Sequence, residues 1–112
     1  MMERYNLLQG TKKVFPQEIV YEIPNQGPIG IALAHIEKSE PHFHNETTEW
    51  YYVTHGKGIV YLNGKELKLQ KHDFIKIYPT TVHYVESARG IELLVITHPP
   101  WKPEDHHLVK QP

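Results

Sequence analysis

Residues 41–58 read PHFHNETTEWYYVTHGKG, from Pro41 to Gly58, and two histidines one residue apart lead into a run of aromatics. In an extended strand successive side chains alternate between faces. His42 and His44 therefore point the same way, with Phe43 opposite. On the strand that follows, Glu49 shares its face with Tyr51 and Val53, while Trp50 and Tyr52 look the other way. Taken alone, the HXH is equally compatible with two solvated histidines beside a turn. Further along, His83 shares its face with Thr81 and Val85. If a curled sheet brings these three faces together inside a barrel, they supply three imidazoles and one carboxylate. That donor set suits Mn, Fe, Co, Ni, Cu or Zn, and four protein ligands on a six-coordinate metal leave two positions open.

The flanking sequence predicts the kind of sheet this requires. VFPQEIVYEIP (14–24) suggests short extended pieces broken by Pro16 and Pro24, NQGP (25–28) signals a turn, and IGIALAHIE (29–37) reads as a buried strand. After the aromatic strand, GIVYLNGKELKLQ is a hairpin, because Asn63-Gly64 supplies the pair of positive-φ residues that a type I′ turn requires. FIKIYP (74–79), TVHYVE (81–86) and IELLVITH (91–98) continue the series. No segment has a 3.6-residue period, so many short strands at regular spacing predict an all-β antiparallel sandwich or barrel. We divide the chain into an N-terminal arm (1–28), a barrel (29–98) and a Pro-rich tail (99–112). The tail, PPWKPEDHHLVKQP, is expected to lie extended on the barrel without helix or strand.

Composition narrows the partners. The chain has 112 residues, enough for one domain, and a formal net charge of -1. Arg4 and Arg89 are its two arginines, so no broad cationic surface is available for nucleic acid or a membrane. The absence of cysteine excludes disulfides and thiolate metal sites. No apolar run reaches membrane-spanning length and MMERYNLLQG lacks a signal-peptide core, so a cytoplasmic location is expected.

These residues resemble the cupin family, whose first motif runs G(X)5HXH(X)3-4E(X)6G. His42-Phe43-His44, four residues, Glu49, six residues and Gly56 match it from the first histidine onward. The second motif, G(X)5PXG(X)2H(X)3N, falls on HDFIKIYPTTVHYVES with His83 at its histidine. Fifteen residues separate Gly56 from His72. The chain departs at framing positions: Ile36 and His72 stand where the motifs open with glycine, Tyr78 in the proline position, Thr80 at the turn glycine and Ser87 at the final asparagine. The resemblance covers roughly residues 36–97. It implies a double-stranded β-helix (a jelly-roll barrel), and His42, His44, Glu49 and His83 as ligands of one divalent transition metal.

The remaining candidates divide by face. His35, in register with Ile31 and Leu33, reads as a core or pocket histidine, and His98 behind Leu94 and Ile96 as a similar case. His55 beside Gly56 reads as solvated, and His106 and His107 sit in a polar tail where no accessory metal site is expected. Tyr61 lies in a run apolar on both faces, which leaves its direction open. Tyr51 follows Glu49 on one face, and its hydroxyl either contacts substrate or closes the core. Trp50 and Tyr52 need a cover: the second half of the fold, the N-terminal arm with residues 14–24, or a second subunit; a homodimer is expected, as the resemblance also implies. Thus the sequence points to a small-molecule metal enzyme of isomerase or epimerase type, acting on a sugar or a small oxygenated carbonyl or carboxylate compound. Glu49 and Tyr51 are its catalytic candidates. An Fe- or Ni-dependent dioxygenase and a non-catalytic binding module are the alternatives.

Overall fold

A computed structural model describes residues 1–24 and 27–110. Asn25 and Gln26 of the expected NQGP turn, and the last two residues of the tail, lie outside the described residues. The strands are β1 (Thr11–Phe15), β2 (Glu18–Ile23), β3 (Gly30–Lys38), β4 (His42–Phe43), β5 (Thr48–Gly56), β6 (Gly58–Leu62), β7 (Lys65–Leu69), β8 (Phe74–Ile77), β9 (His83–His98) and β10 (His107–Leu108). Two short 3-10 turns, Leu7–Gln9 and Pro103–Asp105, complete the described elements.

Every strand pairing is antiparallel, and the long strand β9 closes the barrel. Its first half, around His83–Glu86, pairs with β6 on one side and touches β4 through His42↔His83. Its second half, from Ile91 onward, lies between β3 and β5. The two halves meet at Gly90, whose φ of 92° lets the strand turn from one sheet to the other. One sheet thus runs β1-β2-β3-β9-β5-β8 and the facing one β10-β4-β9-β6-β7. The first two strands are hydrogen-bonded continuations of the barrel sheet. The β6–β7 hairpin turns at Asn63 (φ 49°) and Gly64 (φ 84°), as the Asn-Gly pair predicts.

Val53, Val60, Val85, Leu93 and Ile91 are almost fully buried and form the centre of the core. They occupy the closed end of the barrel, which leaves the other end to polar side chains. Strand β5 alternates as its sequence requires: Glu49, Tyr51 and Val53 are buried while Trp50 and Tyr52 face outward.

Three details differ from the sequence reading. The inward face of β3 is Ala32, Ala34 and Ile36, so His35 lies outside and exposed, its Nε2 3.1 Å from a Glu92 carboxylate oxygen. Both faces of IGIALAHIE are apolar, and a pattern without alternation leaves the phase open by one residue. His98 is exposed as well. The proline-rich tail is also more ordered than composition suggests. Pro103 sits at the start of its 3-10 turn, where no N–H is needed, and His107 and Leu108 pair with Phe43 and His42. Finally, residues 14–24 extend the sheet and do not fold over Trp50 and Tyr52.

Candidate metal centre

Four elements deliver the central side chains. β4 and the turn after it carry His42 and His44, β5 carries Glu49, and the start of β9 carries His83. His44, Glu49 and His83 are 3%, 5% and 1% exposed, and their ligand atoms and that of His42 all lie within 4.8 Å of one another. The faces that the sequence placed on separate strands do meet.

Each imidazole is held by its outer nitrogen. His42 Nδ1 donates to the Glu40 carbonyl at 2.7 Å, His44 Nδ1 to the Asp105 carbonyl at 2.8 Å, and His83 Nδ1 to the Thr81 carbonyl at 2.8 Å. A proton on Nδ1 leaves the lone pair on Nε2, the arrangement that metal-ligating histidines adopt. Two of those Nε2 atoms converge on one carboxylate oxygen, with His83 at 2.8 Å and His44 at 3.0 Å from Glu49 Oε1. His44 Nε2 is close but poorly aligned, and it is a buried nitrogen without a hydrogen-bond partner. Lone pairs crowded against a carboxylate need a cation between them, which is either a proton or a metal ion. The residues therefore fit a divalent metal bound by three nitrogens and one oxygen.

The electrostatics describe the same frustration. Burial, reinforced by His83, pushes His42 down to about 3. Burial also opposes charge on His44, but Glu49 outweighs it and raises that imidazole above its ordinary value. Burial would raise Glu49; the neighbouring imidazoles of His44 and His83 overcome it and hold the carboxyl well below the usual range. Tyr51 lies beside the cluster, its ring 6.3 Å from that of His83, and burial together with Glu49 keeps its hydroxyl protonated.

The second motif keeps its backbone geometry without its glycines. His72 and Thr80 stand at glycine positions and both adopt positive φ, 79° and 68°. Thr80 N–H donates to the His44 carbonyl at 2.6 Å, so the strained turn supports the ligand loop. Ser87, at the asparagine position, donates to the Lys57 carbonyl at 2.6 Å and ties down the turn after Gly56. Gly56 itself is irreplaceable there, since a Cβ would lie 2.6 Å from the Gly90 carbonyl.

Several site residues were missed from sequence. The centre opens into a cavity of about 280 Å³ whose wall includes Lys13, Glu18, Trp101 and His106. Glu18 faces inward with Val20 and Glu22, although Ile19 and Tyr21, on the opposite face of β2, are the more apolar residues. Burial, with Glu49 and Glu40 nearby, raises the Glu18 carboxyl to about 7. Lys13 supplies a cation at the wall, but it is paired with Glu22 at 3.2 Å. Asp105, 4% exposed, accepts from the backbone N–H groups of Asn45, Glu46 and Thr47 at 2.7, 3.0 and 3.2 Å. These hydrogen bonds outweigh burial and hold its carboxyl below its ordinary value. The contacts span about sixty positions, and no local pattern in the tail announces them.

The Cupin domain family matches residues 32–97, more than half of the chain. The chain belongs to the cupin family. Among relatives, this cupin is 27% identical over 107 residues to an uncharacterized protein of Methanocaldococcus jannaschii, covering 94% of this chain and 75% of that protein. Among solved structures it is similar to Streptomyces PAC13 with uridine, at a TM-score of 0.85 and 20% identity, covering 98% of this chain and 92% of that one. PAC13 is described as a nucleoside dehydratase. KdgF from Halomonas sp. is similar at a TM-score of 0.77 and 16% identity, over 93% of this chain and 98% of that one. At those identities the likeness concerns the fold, the jelly-roll barrel of cupins. No helix among the described residues is long and apolar enough to cross a membrane.

Proposed function

We propose that this cupin is a metal-dependent enzyme that holds one divalent transition metal on His42, His44, Glu49 and His83 and moves a proton on a small oxygenated carbonyl or carboxylate compound, such as a sugar. The observation that carries the metal assignment is the set of three Nδ1–H groups anchored on carbonyls, which turns the Nε2 lone pairs inward. A bound metal would supply Lewis acidity at its two open positions, where a carbonyl and a neighbouring oxygen can bind together.

The protein side chains account for the proton. Glu49 is held ionised between two imidazoles, which suits a ligand better than a proton carrier. Glu18 has the opposite character: a carboxyl on the cavity wall, raised to about 7, that can take and return a proton near neutral pH. Tyr51 stays protonated, makes no hydrogen bond among the described residues and is available as a donor to a substrate oxygen. Together these roles describe isomerisation or epimerisation next to a carbonyl. The uridine held by PAC13 indicates that a barrel of this shape admits a ligand as large as a nucleoside. The apolar isoleucines of the cavity wall, Ile23, Ile29 and Ile31, favour a second reading, oxygen chemistry at Fe or Ni.

Proton exchange separates the two. The metal-loaded protein is incubated in deuterium oxide with a panel of α-hydroxy and α-keto carbonyl compounds and followed by proton NMR. Deuterium entry at the carbon beside the carbonyl, lost in Glu18→Gln while metal is retained, is the expected result. Oxygen consumption without exchange would replace it with the dioxygenase reading. Ligand binding with neither would leave a binding module.

We further infer a homodimer and a cytoplasmic setting. Tyr21, Leu33, Leu94, Tyr52 and Phe74 stand side by side across five strands on the outer sheet face, with Trp50 and Ile96 in the next row. A continuous apolar face of this width suits a second copy.

A further inference from the structure

A fourth imidazole faces the centre from the tail. The His106 ring stacks on His42, with centroids 4.4 Å apart and planes 19° from parallel, and lies 5.6 Å from His44. It lines the same cavity. Its Nδ1 accepts a hydrogen bond from Trp101 Nε1–H at 3.1 Å. Indole nitrogen is a donor only, so the accepting Nδ1 must be unprotonated and the proton of the neutral ring must sit on Nε2. This is the reverse of the tautomer seen in His42, His44 and His83. The lone pair of His106 is spent on Trp101, which removes the ring from the ligand set, and its Nε2–H has no protein acceptor among the described residues.

The ring is also fixed in place. Lys13 Nζ lies 3.9 Å above the Trp101 ring and is itself tied to Glu22. His106 N–H donates to the Pro103 carbonyl at 3.2 Å, and the neighbouring Asp105 is anchored on the 45–47 loop. A donor held this firmly loses little freedom when it meets an acceptor.

We propose that His106 is a ligand-binding residue, whose Nε2–H donates to an oxygen of a small molecule seated on the centre formed by His42, His44, Glu49 and His83. The ligand class it selects is an α-oxygenated carboxylate or carbonyl compound, in which one of two adjacent oxygens lies within reach of the imidazole and carries negative charge. Trp101 acts through His106 as a positioning residue, by setting the tautomer. The inference rests on the metal reading of the site.

The test uses the full-length protein loaded with cobalt(II) and titrated with oxalate, a planar dianion with adjacent oxygens, while the visible absorption of the cobalt is followed. Cobalt affinity is measured in the same samples. In His106→Ala, cobalt affinity is unchanged and the oxalate dissociation constant rises about tenfold, as expected for loss of a hydrogen bond to a charged acceptor. Trp101→Phe keeps an aromatic wall but frees the tautomer, and gives a smaller rise of roughly threefold. Unchanged oxalate affinity in His106→Ala, with cobalt bound, would overturn the inference and leave the metal centre standing. Loss of cobalt in His106→Ala as complete as in His42→Ala would make His106 a metal ligand and overturn the donor role. A wild type that binds no cobalt would overturn the metal reading itself, and this inference with it.

Discussion

Single residues in this barrel hold conformations and charges that their types resist. Thr80 is β-branched and sits at φ 68°, a region that costs such a residue about 1–2 kcal/mol. Thr80→Gly relieves that strain and returns part of it as unfolded-state entropy, so a net gain of about 0.5–1 kcal/mol is expected in urea denaturation. Glu18 strains against charge instead. Its folded value of about 7 lies above the ordinary 4.5, so the folded chain holds a proton that the unfolded chain releases between those values. Stability from this group is therefore present below about 4.5 and lost as pH rises through 7. Glu18→Gln is expected to stabilise the protein at pH 8, by roughly 1–2 kcal/mol after allowance for solvent screening, and to do nothing at pH 4.5. His42 and His106 work in the other direction. Held neutral down to about 3 and about 4, they destabilise the fold as pH falls below 6.5. The protonated fraction of His44 also competes with metal, so metal affinity is expected to fall as pH drops through the imidazole range.

At the scale of elements, the sequence disclosed what is local and periodic. The alternation of Glu49, Tyr51 and Val53 against Trp50 and Tyr52 gives β5 its faces, and Asn63-Gly64 gives the hairpin its turn. The four central residues were legible because two short motifs carry them. Strands apolar on both faces were not: β3 could be phased either way, and His35 ended outside. Nor could β2 be read, since its polar face lines a cavity and its apolar face lies on the outer sheet. The tail was the least legible element, because Asp105 acts on residues about sixty positions away. Its carboxylate satisfies three N–H groups of the loop that follows His44. Asp105→Ala is expected to lower stability by about 2–3 kcal/mol and to weaken metal binding at least tenfold, measured by thermal melting of the metal-free protein and by metal titration.

At the scale of the whole molecule, the barrel has two contrasting ends and one apolar flank. Core valines and leucines close one end, and the imidazole cluster opens at the other. Such a division keeps the polar cluster away from the packed core while the long strand β9 serves both. One row across the outer face of the β2-β3-β9-β5-β8 sheet, Tyr21, Leu33, Leu94, Tyr52 and Phe74, is apolar. Leu94→Lys at its centre is expected to convert the proposed dimer to a monomer in analytical ultracentrifugation, with metal content unchanged. A monomeric wild type would remove the interface from the account.

The central claim is that His42, His44, Glu49 and His83 hold one metal ion. Plasma mass spectrometry of untagged protein purified without chelator, beside the His42→Ala/His83→Ala double variant, tests it most directly. About one transition metal per chain is expected in the wild type and none in the double variant. Equal metal content in the two proteins, or none in the wild type after incubation with Mn, Fe, Co, Ni, Cu and Zn salts, would contradict it.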